Sequence, residues 1–275
     1  MEIGKFYDLE VVKELDFGVY LKSDLGEILL PTKYVPESAA IGDVLNVFVH
    51  RDSEDRLLAT TLHPKGVLGD FVGLKATHIT YHGAFMDWGL EKDLFVPKSE
   101  QHIPFVEGNT YVVRICMDYK SDRLVGVSKI NTFLKSEHDE DLNEGDEVDL
   151  LIYNRTDVGY AAIINQKYKG LIYENEVFEP VRIGDTKKGY IKKLREDGKI
   201  DLSLTAEGKK AIDHNSEVVL EALKKSDGYL PYHDKSDADD IKDEFNMSKK
   251  AFKRAIGSLY KERLITIEQG GIRLS

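Results

Sequence analysis

One pattern occurs three times in this chain, and it restricts the fold more than any bulk property. In Ile79 to Glu100, ITYHGAFMDWGLEKDLFVPKSE, Ile79, Tyr81, Phe85, Met86 and Trp88 supply β-branched and aromatic bulk up to Gly89. Leu94-Phe95-Val96 then starts a second run. The spacing predicts two strands joined by a turn. Gly83 falls inside the first of them, where a glycine marks a bulge, a bend or a close backbone approach. One extra residue at Gly83 would bring His82 and Phe85, otherwise on opposite faces, to the same face. A strongly bent, two-sided strand suits a small closed barrel.

The upstream copy, LDFGVYLKSDLGEILLP, has Gly18 at this place, with Phe17 and Tyr20 for His82 and Phe85, and Pro31 for Pro97. The downstream copy, TDVGYAAIINQKYKGLIYENEV, has Gly159, and Gly170-Leu171-Ile172 opens its next strand. Each copy continues to a glycine-polar turn: Gly42-Asp43, Gly108-Asn109, Gly184-Asp185. Each closes with a basic residue, Arg56, Arg123 or Lys199, before an alternating strand. The period of roughly 65 to 75 residues exceeds that of a solenoid, so each copy is expected to be a separate small domain. The expected boundaries are 1–66, 67–133 and 148–205, with an acidic linker, helical or solvated, at 134–147 and a last domain at 206–275.

From Ala206 the period changes. Ser216–Lys225 predicts a helix stopped by Asp227-Gly228, and Tyr229–Tyr232 a short edge strand. Ser236 is the expected N-cap of a second helix that buries Ile241 and Phe245, with Asp237, Asp239 and Asp240 in its first turn. Ser248 is the expected cap of a third helix, Lys249–Arg263, with Ala251-Phe252, Ala255-Ile256 and Leu259-Tyr260 at helical spacing. Leu264–Ile267 and Ile272–Leu274 make a hairpin. Helix, strand, helix, helix, hairpin is the winged-helix order. Lys249, Lys250, Lys253, Arg254 and Lys261 avoid the apolar stripe of the third helix, which in a helix-turn-helix would enter the major groove.

Composition narrows the chemistry. The single cysteine, Cys116, excludes an intrachain disulfide and a cysteine zinc cluster. HITYH, His78 to His82, lacks the glutamate of a zinc-protease helix and reads as structural strand. There is no phosphate-binding glycine loop and no nucleophile elbow, so no catalysis, metal or cofactor is expected. No apolar run approaches the roughly 20 residues of a membrane span, and the opening residues do not read as a signal peptide. The cytoplasm is the expected location. The net charge of −11 opposes nucleic-acid binding, which draws on phosphate neutralisation. Most of it lies in the first copy and the acidic linker, however, and the C-terminal half is mildly basic.

The glycine with flanking aromatics, the Gly-Leu-Ile strand start, the Gly-Asp turn and the basic-hydrophobic-x-x-Ser ending resemble the ribosomal-protein-S-one type of RNA-binding domain. Copy two carries these marks most fully and copy one more loosely. Copy three has Val158 and Ala161 where aromatics are expected. The resemblance implies three tandem five-stranded oligonucleotide-binding barrels before an α+β winged-helix domain, a multidomain and mainly β chain. Three such barrels and one winged helix resemble the conserved virulence factor B family of bacterial RNA-binding regulators. The most specific stretch runs from Asp234-Lys235-Ser236 to Leu259-Tyr260, with Ala238 where proline is expected. That family implies a non-enzymatic cytoplasmic protein that binds RNA in post-transcriptional regulation.

Barrels of this kind stack bases of single strands on aromatic rings while cations follow the backbone. The candidate RNA-binding residues are Phe17, Tyr20 and Arg56 in copy one, and His82, Phe85 and Arg123 in copy two. In copy three they are Tyr160, Tyr173 and Lys199, with a basic run of Lys187, Lys188, Lys192, Lys193 and Arg195. Lys249, Lys250, Lys253 and Arg254 are candidates in the winged helix. Two alternatives stand beside single-stranded RNA: duplex DNA held by the winged helix, and barrels that dock proteins.

Overall fold

The computed structural model describes residues 1–52, 54–135, 142–177, 179–205 and 214–275. Residues 136–141 of the expected acidic linker lie outside them, as do residues 206–213. Three closed five-stranded barrels come first. Barrel one is β1 (Phe6–Leu15), β2 (Gly18–Ser23), β3 (Gly26–Pro31), β4 (Val44–Arg51) and β5 (Leu57–Thr60). Barrel two is β6 (Phe71–Ile79), β7 (Gly83–Asp87), β8 (Leu94–Pro97), β9 (Thr110–Asp118) and β10 (Arg123–Val127). Barrel three is β11 (Glu147–Thr156), β12 (Gly159–Ile164), β13 (Tyr168–Tyr173), β14 (Thr186–Leu194) and β15 (Ile200–Ser203). Each pairs its third and fifth strands in parallel: Leu29 with Leu58, Phe95 with Val125, and Gly170 to Ile172 with Ile200 to Leu202.

The three recurring sequence landmarks have a common cause. The bulge expected at Gly83 sits instead one strand earlier. The register slips at Thr77 in β6, and equally at Val12 in β1 and Tyr153 in β11. The residue before each bulge, Val11, Ala76 or Ile152, exchanges two backbone hydrogen bonds with the glycine-polar turn. Its N–H donates to the carbonyl of Asp43, Asn109 or Asp185, and its own carbonyl accepts from Gly42, Gly108 or Gly184. The turn therefore fills the break that the bulge opens in the ladder. Gly83 opens β7 and His82 lies in the turn before it, so the expected single strand through both is divided. The glycine itself answers a close approach, because a Cβ at Gly83 would lie 2.3 Å from the Val96 carbonyl oxygen. A Cβ at Gly18 would lie 2.3 Å from that of Leu30.

Neighbouring barrels share packing. Phe48 of barrel one is fully buried in the core of barrel two, edge-on to Trp88 with ring centroids 5.8 Å apart. Phe71, Val112 and Ile130 of barrel two meet Leu151 and Ile163 of barrel three in one cluster. There the Gln166 amide behaves as an extra ladder residue. Its Oε1 accepts from the Phe71 N–H at 2.6 Å, and its Nε2 donates to the Phe71 carbonyl at 3.0 Å.

Chain contacts divide the molecule into two compact units, Met1–Ile172 with Arg182–Leu202, and Tyr173–Val181 with Ser203–Ser275. The second holds α1 (His214–Lys225), β16 (Tyr229–Leu230), α2 (Ala238–Phe245), α3 (Lys249–Lys261), β17 (Ile265–Glu268) and β18 (Gly271–Leu274). The last two strands form the expected hairpin, and β16 pairs with β18. Val219, Leu223, Ile241, Phe245, Phe252, Ile256 and Leu259 fill its core. Ser248 caps α3, accepting from the Ala251 N–H. The cap of α2 is Asp237, which accepts from the Asp239 N–H, rather than Ser236. Ser236 Oγ is taken by the His233 N–H, so the next acceptor along the chain does the capping.

Candidate nucleic-acid interface

Barrel two carries the most extended ring surface. Phe85 on β7 is half-buried and lies between two rings. His78 on β6 is stacked on it at 6.5 Å, and Phe95 on β8 is tilted against it at 5.2 Å. The bulge at Thr77 sets His78 opposite Phe85 in the register. His82 is exposed in the turn, edge-on to the 82% exposed Tyr81, over which Lys98 Nζ sits 5.3 Å from the ring centre. The platform on the sheet is thus His78–Phe85–Phe95, with His82 beside it on the loop. Sequence reasoning missed His78 and Phe95. The signal for Phe95 was its place in the strand after the glycine, where it pairs directly with Phe85.

In barrel one, Phe17 is 55% exposed in the turn after β1, edge-on to the half-buried Tyr20 at 6.3 Å. Lys13 Nζ lies 5.5 Å over the Tyr20 ring. In barrel three, Tyr160 is half-buried under the Arg155 guanidinium at 5.6 Å. Tyr173 ends β13, half-buried, and belongs to the second compact unit.

Five of the candidate cations of the barrels, Arg56, Arg123, Lys188, Arg195 and Lys199, are engaged by carboxylates. Arg56 pairs with Asp52 at 2.7 Å and Glu54 at 3.0 Å. Asp52 is buried, which opposes its charge. Arg56 and the backbone N–H groups of Arg56 and Glu54 outweigh that and hold its carboxyl below the usual range. Arg123 reaches out of its own barrel to Asp55 of barrel one at 2.7 Å, holding that carboxyl low. Lys199 pairs with Asp197 at 2.7 Å, Arg195 with Asp201 at 2.9 Å and Lys188 with Asp149 at 2.8 Å.

The basic run of barrel three does not make one patch. Lys187, Lys188, Lys192 and Lys193 all lie on β14, whose period of two sends Lys188 and Lys192 to one side and Lys187 and Lys193 to the other. Arg195 follows the strand and turns back to Asp201.

In the winged helix, Lys250, Lys253 and Arg254 are exposed on α3, and Lys249 is half-buried with its Nζ 3.5 Å from the Lys235 carbonyl. The α3 sequence KKAFKRAIGSLYK contains no acidic residue.

Closed barrels of this topology followed by a winged helix define a tandem of oligonucleotide-binding folds, a class that holds nucleic acids. Two family models agree. A family model for the S1 domain matches residues 3–62, the copy whose marks are looser to the eye, and one for the CvfB-like winged helix domain matches residues 217–274. Conserved virulence factor B of Staphylococcus epidermidis is 29% identical, covering 99% of this chain and 95% of its own length. Its namesake from Staphylococcus aureus USA300 is 28% identical over 86% of this chain and 80% of its own. YitL of Bacillus subtilis is 28% identical over 98% and 93%. A crystal structure from Streptococcus pneumoniae, described as a multidomain protein with nucleic acid binding domains, is 23% identical, covers 99% of this chain and 98% of its own, and superposes with a TM-score of 0.47. The chain thus contains an S1 domain and a CvfB-like winged helix domain, and it is similar over nearly its full length to proteins named conserved virulence factor B. Neither matching domain family is an enzyme family. No helix among the described residues is long and apolar enough to cross a membrane.

Proposed function

We propose that this protein binds single-stranded RNA without catalysing a reaction on it, and acts in the bacterial cytoplasm as a post-transcriptional regulator. The observation that carries this reading is the His78–Phe85–Phe95 ring series on an open sheet face, with Arg123 at the start of the strand beside it. Stacked rings accept any base and no base pair, which favours unpaired strands over duplexes. The carboxylates that hold the barrel cations would be exchanged for phosphates, at a cost in affinity that keeps binding moderate. The test is a gel-shift titration of unstructured RNA. Replacing Phe85→Ala with Arg123→Ala removes a stacking surface worth about 1–3 kcal/mol per base together with one backbone contact, and affinity should fall at least tenfold. Unchanged affinity would remove this face from consideration.

A second reading has its own support. The cations of α3, without an acid on the helix, suit the backbone of a duplex. Competition on the full chain separates the two. Displacement of bound RNA by duplex DNA of equal length, at equal concentration, would favour the winged helix as the principal site.

A further inference from the structure

Barrels one and two enclose a cleft of about 410 Å³. Barrel one contributes His50, Leu58 and Thr60 to its walls, and barrel two contributes Phe85, Phe95 and Trp88. This volume lies in the range of small-ligand sites. Its ring-bearing wall is continuous with the platform of barrel two, because Phe85 and Phe95 belong to both.

Arg51, Arg123 and Lys33 also line the cleft, and each is held by a carboxylate or carbonyl of the loops around it. Two hairpin tips make a reciprocal exchange. Asp55, at the β4–β5 tip, takes Arg123 of barrel two at 2.7 Å, and Asp122, at the β9–β10 tip, lies 3.9 Å from Arg51 of barrel one. Both aspartates have left-handed backbones, φ 62° and 50°, a conformation that Asp tolerates better than most residues. Lys33 of barrel one pairs with Glu91 of barrel two. Arg51 also donates to the Asp55 carbonyl, yet its Nε is buried with no hydrogen-bond partner among the described residues. His50 Nδ1 stands 3.2 Å from the Arg51 carbonyl oxygen. A carbonyl only accepts, so Nδ1 carries the proton and Nε2 of the neutral ring is an acceptor. The cleft therefore combines ring faces, the His50 imidazole and, in Arg123, a guanidinium in an exposed, exchangeable ion pair. A nucleotide presents the matching parts: a flat base with donors and acceptors on its edge, and a phosphate that arginine binds at least as well as a carboxylate.

The geometry points to a nucleotide cleft shared by barrels one and two, in which one base of single-stranded RNA lies against Phe85, Phe95 and Trp88 while Asp55 competes with its phosphate for Arg123. This site rests on the reading of the protein as an RNA binder, and it makes the first two barrels one binding unit. It also gives Asp55 a role opposite to that of an ordinary stabilising partner: it lowers affinity.

Trp88 is the only tryptophan, so its emission reports the cleft directly. The full chain is titrated with a dye-labelled oligouridylate long enough to span both barrels, following Trp88 emission and dye anisotropy together. Both signals should move with one midpoint. Asp55→Asn should tighten binding about threefold or more at low salt. Glu10→Gln, the same change of charge on an exposed β1 residue away from the cleft, should shift it by less than about twofold. Leu58→Phe, which fills the cleft, should weaken binding about tenfold. An anisotropy change with silent Trp88, and Asp55→Asn indistinguishable from Glu10→Gln, would sink the cleft while leaving RNA binding intact. No anisotropy change at low salt would sink the RNA reading and the cleft with it. Displacement of the Trp88 signal by an acidic peptide but not by RNA would make the cleft a protein dock and overturn the proposal.

Discussion

Five cations of the barrels and three on helix α3 of the winged helix are held in opposite ways. Arg56, Arg123, Lys188, Arg195 and Lys199 of the barrels each lie within 2.9 Å of a carboxylate. Lys250, Lys253 and Arg254 of α3 are exposed, and among the described residues no carboxylate pairs with them. A ligand reaching for these five barrel cations must displace an internal anion first, so little is gained there from counterion release. A ligand on α3 displaces only salt. The rings supply what the barrels' charges do not, and the net charge of −11 says little about either surface.

The contrast can be broken in several ways. Reversing Lys250, Lys253 and Arg254 together to Glu is expected to lower duplex-DNA affinity about a hundredfold at low salt and to make the salt slope shallower by about two to three. An unaltered slope would erase the distinction between the two surfaces. Gly83→Ala in barrel two forces a Cβ against the Val96 carbonyl and is expected to cost about 1–3 kcal/mol in a urea melt. Gly257→Ala is its counterpart on α3, where a Cβ meets nothing within 4 Å. That substitution should stabilise the winged helix by up to about 1 kcal/mol, since Ala is the better helix former. A loss of stability there would mean that the α3 face is already packed against something. The smallest effect concerns pH. Burial lowers the pKa of both His50 and His102 from the ordinary 6.5. The unfolded chain therefore binds protons first. Their contribution is fully present above pH 6.5 and is lost as pH falls from there toward the depressed values. Thermal melts should show a modest drop in Tm across that window, and His50→Gln should reduce it. A flat profile would place His50 in water.

The barrels were legible because their marks are local and repeated. Gly18 and Gly83 answer carbonyls that no Cβ can approach, and the glycine-polar turns answer a bulge that recurs at Val12, Thr77 and Tyr153. The bulge itself was misplaced by one strand, because period-two reading detects a slip in facing without saying which strand of a pair contains the extra residue. Ser236 was preferred to Asp237 as a cap because both residue types suit the role, and a hydrogen bond from His233 decides between them. The site was legible in its rings and not in its charges. Arg123 and Asp55 are 68 residues apart, so nothing in the local pattern couples them. The winged-helix order followed from caps and the helical stripe, and its core residues Ile241, Phe245 and Phe252 are buried as that stripe requires.

The Gln166 amide that completes the strand edge at Phe71 has a consequence for any ligand reaching past barrel two. It joins barrels two and three through main-chain geometry, and behind it Gly73 backs onto Gly184 so closely that a Cβ would fall 2.5 Å from the neighbouring Cα. If the proposed single-stranded RNA crosses both barrels, this fixed joint would act as a ruler: the number of nucleotides bridging it would select the strand, and inserting or deleting one nucleotide between two crosslinked positions would expose that measure.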